Sequence, residues 1–227
     1  MVERLGLESG KRVVDVGAGT GKLTRQLVPS GARVFAVEPL AEMRAQLEAS
    51  VPEAEALAGM AEALPLEDGG VDAITVASAM HWFDTGRTLS EFHRVLRPGG
   101  GLAILGNARD LADALQAAVQ AIIGQYLPKL DELLAWNPEL EASPLFGPLE
   151  TTEISWEQLL DAEGLAERIG TISYVARLPD EERARVLERV RCLGERQPEA
   201  PFPFRYRTGA LVCYAAPVSY PDPAVGG

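Results

Sequence analysis

Lysine is nearly missing from this chain. Among 227 residues only Lys11, Lys22 and Lys129 are lysine, and 33 acids outweigh 21 bases, for a formal net charge of −12. So acidic a balance opposes binding to phosphate backbones, which reward clustered Lys and Arg. Nucleic acid is therefore not among the expected partners. Cysteine is scarce too: Cys192 and Cys213 are the only two. Two cysteines make neither a disulfide framework nor a metal quartet, so reduced thiols and a cytoplasmic setting are expected. No His/Asp/Cys cluster has metal-ligand spacing, and no metal is expected. Apolar runs stay short of the ~18 residues that a membrane span needs, and the N-terminus lacks an apolar signal segment. Repeats and low-complexity tracts are absent. What remains is an ordinary apolar fraction, 47%, ample for the core of one globular domain.

The chain is organised around Val13-Val14-Asp15-Val16-Gly17-Ala18-Gly19-Thr20-Gly21-Lys22. A short apolar run bounded by glycine reads as a buried parallel strand. Leu23, Leu27 and Val28 continue with helical spacing. Strand, glycine turn and helix bring free N–H groups to one spot where a ligand can approach the backbone. A P-loop needs G-x-x-x-x-G-K-[ST], but Leu23 follows Lys22 and Val16 stands where the first glycine belongs. The dinucleotide fingerprint G-x-G-x-x-G/A fails at Lys22. The pattern left is D-x-G-x-G-x-G.

That pattern resembles the first motif of the class I S-adenosylmethionine-dependent methyltransferases, whose loop packs against the amino-acid half of the cofactor. The resemblance implies a doubly wound α/β fold: a mostly parallel, seven-stranded, Rossmann-like sheet with a helical lid insertion. It also implies S-adenosylmethionine as cofactor, with Asp15, Gly17, Ala18, Gly19 and Gly21 at its binding loop. Arg33–Glu38 reads as strand two and ends in an acid about 20 residues past the loop. An acid there accepts hydrogen bonds from ribose hydroxyls in dinucleotide folds, and the family shares the feature, so Glu38 and the adjoining Pro39 join the site. Helix Glu42–Glu48 follows, with Met43 and Leu47 expected inward. Glu55–Gly59 is a weak third strand, expected at an edge. Gly59-Met60-Ala61-Glu62 is similar to the family's adenine-binding segment, although Met60 departs from the usual polar residue.

Strand four, Val71–Ala79, runs into Met80-His81-Trp82-Phe83-Asp84. Ligands of parallel sheets lie beyond the carboxyl ends of the strands, at the topological switch. That places Ser78, His81 and Trp82 near the reacting methyl. The His-Trp-Phe-Asp string is similar to a subgroup that includes trans-aconitate-type and other small-molecule O-methyltransferases. His81 reads either as catalytic and substrate-binding or as a structural histidine; Trp82 reads as substrate contact or lid packing. Ser173 and Tyr174 match a Ser-Tyr pair that faces the substrate in that subgroup.

Thr85–Arg97 is a predicted helix with a capping box at Thr88-x-x-Glu91. Its His93 is expected at the surface or satisfied by a partner. Arg94-Val95-Leu96-Arg97-Pro98-Gly99-Gly100 stops the helix, and strand five follows at Leu102–Leu105. Leu111, Leu115, Val119, Ile122 and Tyr126 predict a helix; Leu130, Leu133, Leu134 and Trp136 predict a second; and Pro138, Pro144 and Pro148 mark an irregular loop. Strand six is expected at Leu149–Trp156, helices over Glu157–Ile169 and from Pro179, and the last strand at Arg205–Ala215. The organisation expected is a cofactor core over 1–106, a helical insertion or lid over 107–148, the rest of the sheet and helices over 149–216, and a loose tail over 217–227. Relatives usually carry more chain ahead of the first strand, which leaves open what covers the cofactor here.

The expected activity is methyl transfer to a small-molecule acceptor, on a carboxylate or hydroxyl oxygen, by a monomer or homodimer. Two other readings stand beside it: a non-catalytic cofactor-binding module, and a protein methyltransferase.

Overall fold

The computed structural model describes residues 1–127 and 136–217. The seven strands are β1 (Arg12–Val16), β2 (Arg33–Val37), β3 (Glu55–Leu57), β4 (Val71–Ala77), β5 (Leu96–Arg109), β6 (Glu150–Leu160) and β7 (Phe202–Tyr214). They form one sheet in the order β3-β2-β1-β4-β5-β7-β6. The pairs β1–β2, β1–β4, β2–β3 and β4–β5 are parallel. The order reverses between β1 and β4, so the switch point lies at the carboxyl ends of those two strands. The doubly wound, Rossmann-like architecture expected from the glycine loop is what the chain adopts.

Side-chain alternation explains why β1, β2 and β4 read as continuous apolar runs. Val14, Val16, Phe35, Val37, Ile74 and Val76 fill the core on one face. Val13, Val34 and Ala73 face a second core, with Leu5, Leu7 and Leu27. A strand buried on both faces shows no polar alternation.

Two compact units divide the described chain. The first holds 1–106, 136–152 and 210–217, and the second 107–127 and 153–209. In the first, the glycine loop is followed by a helix, α1, of a single turn (Thr24–Leu27) and a 3-10 turn, Val28–Ser30, that begins at Pro29's neighbour. So short a helix supplies little dipole to the loop. Helix α2 (Ala41–Ser50) buries Leu47, but Met43 is 41% exposed, against expectation.

Helix α3 (Thr85–Val95) is capped by Asp84, whose Oδ1 accepts from Arg87 N at 3.2 Å. The expected Thr88–Glu91 box does not form. Thr88 is buried inside the helix, while Glu91 accepts from Leu64 N at 2.6 Å and from Arg94 Nε at 2.8 Å. The helix also stops two residues sooner than expected, because Leu96 already pairs with Val71 in β5. The register jumps there: Val71 faces Leu96 but Ala73 faces Gly101, so Arg97-Pro98-Gly99-Gly100 bulges out. Gly99, at φ +74°, takes a backbone conformation that side chains resist. His93 is satisfied, its Nε2 lying 3.1 Å from the Ala216 carbonyl oxygen.

The second unit packs α4 (Ala114–Ile123), α6 (Ala162–Gly170), α7 (Ser173–Ala176) and α8 (Asp180–Glu195) around Leu115, Val119, Leu165, Ile169, Val186, Val190 and Phe204. Several expected boundaries move here. Asp113 caps α4, accepting from Gln116 N at 3.0 Å, so Leu111 precedes the helix and is exposed. Strand β6 continues through Glu157 to Leu160, where a helix was expected. The helix starts only after Asp161, whose Oδ1 accepts from Gly164 N at 2.8 Å. Strand β7 begins at Phe202 rather than Arg205. In the first unit α5 (Trp136–Ala142) includes Pro138 in its first turn, where an irregular loop was expected. Leu130, Leu133 and Leu134, expected in a second helix, lie outside the described residues.

Candidate active site

The glycine loop folds over the end of β1 and is tied to β2. Gly17 N and Ala18 N both donate to the Val37 carbonyl, at 2.9 and 3.1 Å. Gly17 has φ +69°, and a Cβ added there would meet Ala79 Cβ at 2.8 Å and the Phe83 ring at 3.2 Å. The loop from β1 and the loop after β4 therefore touch at a point only glycine fits. Gly19, at φ +57°, differs: a Cβ there would face open space. Gly21 N closes a turn onto Ala18 O at 3.0 Å.

Glu38 is the anchor on the β2 side and is 5% exposed. One carboxylate oxygen accepts from Gly19 N at 2.9 Å and the other from Leu40 N at 3.0 Å. Arg44 donates to the Glu38 carbonyl at 2.8 Å. A carboxylate has about four acceptor positions, so each oxygen keeps room for a further donor.

Asp15 lies beneath the loop, 1% exposed. Its oxygens accept from Thr24 Oγ1 at 2.7 Å and Thr75 Oγ1 at 3.2 Å. Burial outweighs these bonds and pushes its carboxyl up to about 6. The folded state thus holds the Asp15 proton more tightly than the unfolded chain. Its stabilising contribution is complete below the unfolded value near 3.8 and is lost as pH rises through about 6. At about 1.4 kcal/mol per pKa unit the loss is roughly 3 kcal/mol. Denaturant unfolding between pH 4 and 7 should show wild type losing that much relative to Asp15→Asn. Parallel curves for the two proteins would contradict the assignment.

Val16, Gly17, Val37, Pro39, Gly59, Met60, Ala61, Glu62, Trp82 and Phe83 line a cleft of about 130 Å³ at the carboxyl ends of β1 and β2. Met60 is 60% exposed and Ala61 is buried. Glu62 does more than line the cleft: its Oε1 accepts from Asp84 N at 2.9 Å. It thereby fastens the segment after β3 to the loop that carries His81 and Trp82. The other end of that loop is held by Ser78 N, which donates to Leu105 O at 2.9 Å. Ser78 has φ +55°, the one positive φ outside glycine among the described residues, and such strain often marks a functional loop. His81 and Trp82 sit in a 3-10 turn (Met80–Trp82), their ring centroids 4.7 Å apart. Burial lowers the His81 pKa below its ordinary 6.5, which favours the neutral imidazole.

The first unit thus brings together Asp15, the glycines, Glu38, Pro39, the 60–62 segment, Ser78, His81 and Trp82. Ser173 and Tyr174 belong to the second unit, where they open α7 and the neighbouring Val175 is fully buried. Sequence reasoning missed Phe83, which lines the cleft and packs under Gly17. Its signal was available: it follows His81-Trp82 directly.

Residues 14–104 match the model of a methyltransferase domain family. An uncharacterized methyltransferase of Mycobacterium tuberculosis (strain ATCC 25618 / H37Rv) is 39% identical over 186 residues, which are 82% of this chain and 74% of that one. The chain is a class I S-adenosylmethionine-dependent methyltransferase. Its cofactor is S-adenosylmethionine, and a non-catalytic reading is set aside. The fold likeness runs wider than the sequence. A structure from Anaeromyxobacter dehalogenans, assigned to type II methyltransferases, has a TM-score of 0.66 at 22% identity and covers 94% of each chain. The geranyl diphosphate C-methyltransferase of Streptomyces coelicolor A3(2), with S-adenosyl-L-homocysteine bound, has a TM-score of 0.53 at 15% identity, covering 95% of this chain and 76% of that one. No described helix of this methyltransferase is long and apolar enough to cross a membrane.

The chain's own residues suit the cofactor. The backbone at Gly19 faces open space that a ligand can enter, and Glu38 keeps acceptor capacity after its two backbone bonds. Met60, Ala61 and Trp82 offer an apolar lining for a planar ring.

Proposed function

We propose that this methyltransferase acts on a small molecule, at a carboxylate or hydroxyl oxygen. The carrying observation is the His81–Trp82 pair, ring centroids 4.7 Å apart, on a loop fixed at both ends at the carboxyl end of β4. The strongly acidic balance of the chain favours a small acceptor over RNA.

When bound, the cofactor supplies an electrophilic sulfonium methyl, which a nucleophile takes by in-line displacement. Glu38 would accept from the ribose hydroxyls, and the loop at Gly17, Ala18, Gly19 and Gly21 would border the amino-acid half. Asp15 holds that loop from below through Thr24. Pro39, Met60, Ala61 and Glu62, which line the cleft, would border the adenine. Ser78, His81 and Trp82 orient the acceptor and keep water out, which is most of what the protein must supply.

The role of His81 depends on the acceptor. A carboxylic acid is already ionised at neutral pH and needs only placement. A phenol must lose its proton, and a neutral imidazole is poised to take it. His81→Ala should therefore lower kcat by about 100-fold or more on a phenolic acceptor and only a few-fold on a carboxylate. Turnover of that variant across matched phenols and carboxylates checks this. A uniform small loss would remove His81 from the chemistry, and incorporation of label only into protein would replace the small-molecule reading. Ser173 and Tyr174 are proposed acceptor contacts, on their match to the Ser-Tyr pair alone.

A further inference from the structure

The second unit carries a cluster of positive charge that the methyl-transfer reading does not use. Two arginines on β7 are matched by acids. Arg205 pairs with Asp113 at 2.8 Å and Glu157 at 3.6 Å, and Arg207 with Asp110 at 3.6 Å and Glu153 at 3.5 Å. Arg109 and Arg168 have no acidic partner among the described residues. Arg109 bonds the side-chain oxygen of Gln120, and Arg168 donates to Thr171 Oγ1 at 3.2 Å. Both partners are neutral.

The two unmatched guanidinium groups share one neighbourhood. Arg168 stands over the Tyr206 ring, 5.4 Å from its centroid. Arg109, on the same strand face as Asn107, is partly buried; burial is the main cause that lowers its pKa, Tyr206 opposes it, and the charge of Arg168 lowers it further. A desolvated cation beside a second cation is unfavourable unless an anion joins them. Around them lies an aromatic and donor-rich surface. Trp156 stacks on Tyr206 at 4.7 Å and 16°. Trp156 Nε1 donates to Thr208 Oγ1 at 2.7 Å, and that hydroxyl donates to Asn107 Oδ1 at 2.6 Å. With its oxygen engaged, Asn107 presents an amide N–H₂ for which the described residues offer no acceptor. Alternation along β5 puts Asn107 and Arg109 on one face of that strand.

We propose that Arg109, Arg168 and Asn107 form a binding site for a small organic carboxylate whose apolar body rests against Trp156. The arginine fork matches two carboxylate oxygens, and charge-assisted bonds of this kind are the strong ones. An aromatic platform beside the charge suits an organic anion better than a bare inorganic one. The site lies wholly within the second unit and does not depend on which acceptor is methylated.

Ligand-observed NMR on the full chain tests it, with phenylacetate, phenylacetamide and inorganic phosphate as probes. Phenylacetate should bind, and the amide and the phosphate should bind at least several-fold more weakly. Arg168→Gln and Arg109→Met should each weaken phenylacetate by about tenfold or more. The control Arg205→Gln removes an acid-paired arginine and should leave it unchanged. If Arg109→Met does not fold, Arg168→Gln alone carries the test, since Arg168 is only partly buried and its contacts, with Thr171 and with Tyr206, include no ion pair among the described residues. Trp156→Ala should weaken phenylacetate while leaving phosphate as it was. Labelled methyl appearing on the carboxylate identifies the occupant as the acceptor; bound but unmodified carboxylate identifies an effector, and either keeps the site. No binding of phenylacetate to wild type, or equal binding to Arg168→Gln, overturns it, and phosphate binding as tightly as phenylacetate overturns the organic part.

Discussion

Glu38→Ala is expected to weaken S-adenosylmethionine binding by roughly 100-fold or more, with a smaller loss of stability. The side chain does two things at once. It takes Gly19 N and Leu40 N, which fixes the loop and the turn after β2. Its remaining acceptor positions are free for two ribose hydroxyls. A hydrogen bond to a charged group contributes about 1.5–3 kcal/mol, and each 1.4 kcal/mol is about tenfold in affinity. Losing two such bonds to the ligand gives the stated effect before any loosening of the loop. Calorimetric titration reads it directly. Glu38→Gln sharpens the test: it keeps the shape but turns an N–H₂ toward a backbone donor or a hydroxyl, and about tenfold weakening is expected. Binding unchanged in both variants would take Glu38 out of the site.

Gly17→Ala should be strongly destabilising, because Gly17 combines a left-handed backbone with a contact under 3 Å. The left-handed backbone at φ +69° costs a Cβ-bearing residue about 1–2 kcal/mol. The added carbon would also sit 2.8 Å from Ala79 Cβ, which is buried and cannot swing away. Overpacking of this kind costs typically 1–3 kcal/mol. Together they predict a loss of roughly 2–5 kcal/mol, or about 5–15 °C in Tm for a chain of this size. Thermal unfolding followed by circular dichroism checks it. Because the contact joins the loops after β1 and β4, cofactor binding should fall as well. A Tm within about 2 °C of wild type would mean that the two loops do not meet as described.

Much of this was legible in the residues, for reasons that differ by region. The first half reads well because a parallel sheet buried on both faces produces short apolar runs, and because glycine at 17, 19 and 21 has few reasons to be there other than the turn it makes. Glu38 was legible by its distance from the loop. Other features were not legible because they are settled by tertiary contact. Glu91 looked like a capping partner for Thr88, but Leu64 N and Arg94 claim it, and Asp84 caps the helix instead. Glu157 looked helical from its neighbours, but β6 continues through it, and its carboxylate pairs with Arg205 across the strands. Met43 had the right spacing for the core, yet it lies 41% exposed. Glu62 was read from the family's adenine segment alone, and its bond to Asp84 N is a contact across 22 residues that no local pattern contains.

Affinity of wild type and Gly19→Val for S-adenosylhomocysteine, set beside their unfolding temperatures, tests the heart of the matter most directly. Beyond its chain neighbours, no heavy atom lies within 4 Å of a Cβ at Gly19, so the variant should fold with only the cost of its backbone conformation. On the proposed placement of the cofactor, its side chain would enter the space taken by the amino-acid tail. The predicted outcome is a folded variant whose binding is lost at ligand concentrations that saturate wild type. A folded Gly19→Val that binds as wild type does would place the cofactor elsewhere and contradict the account.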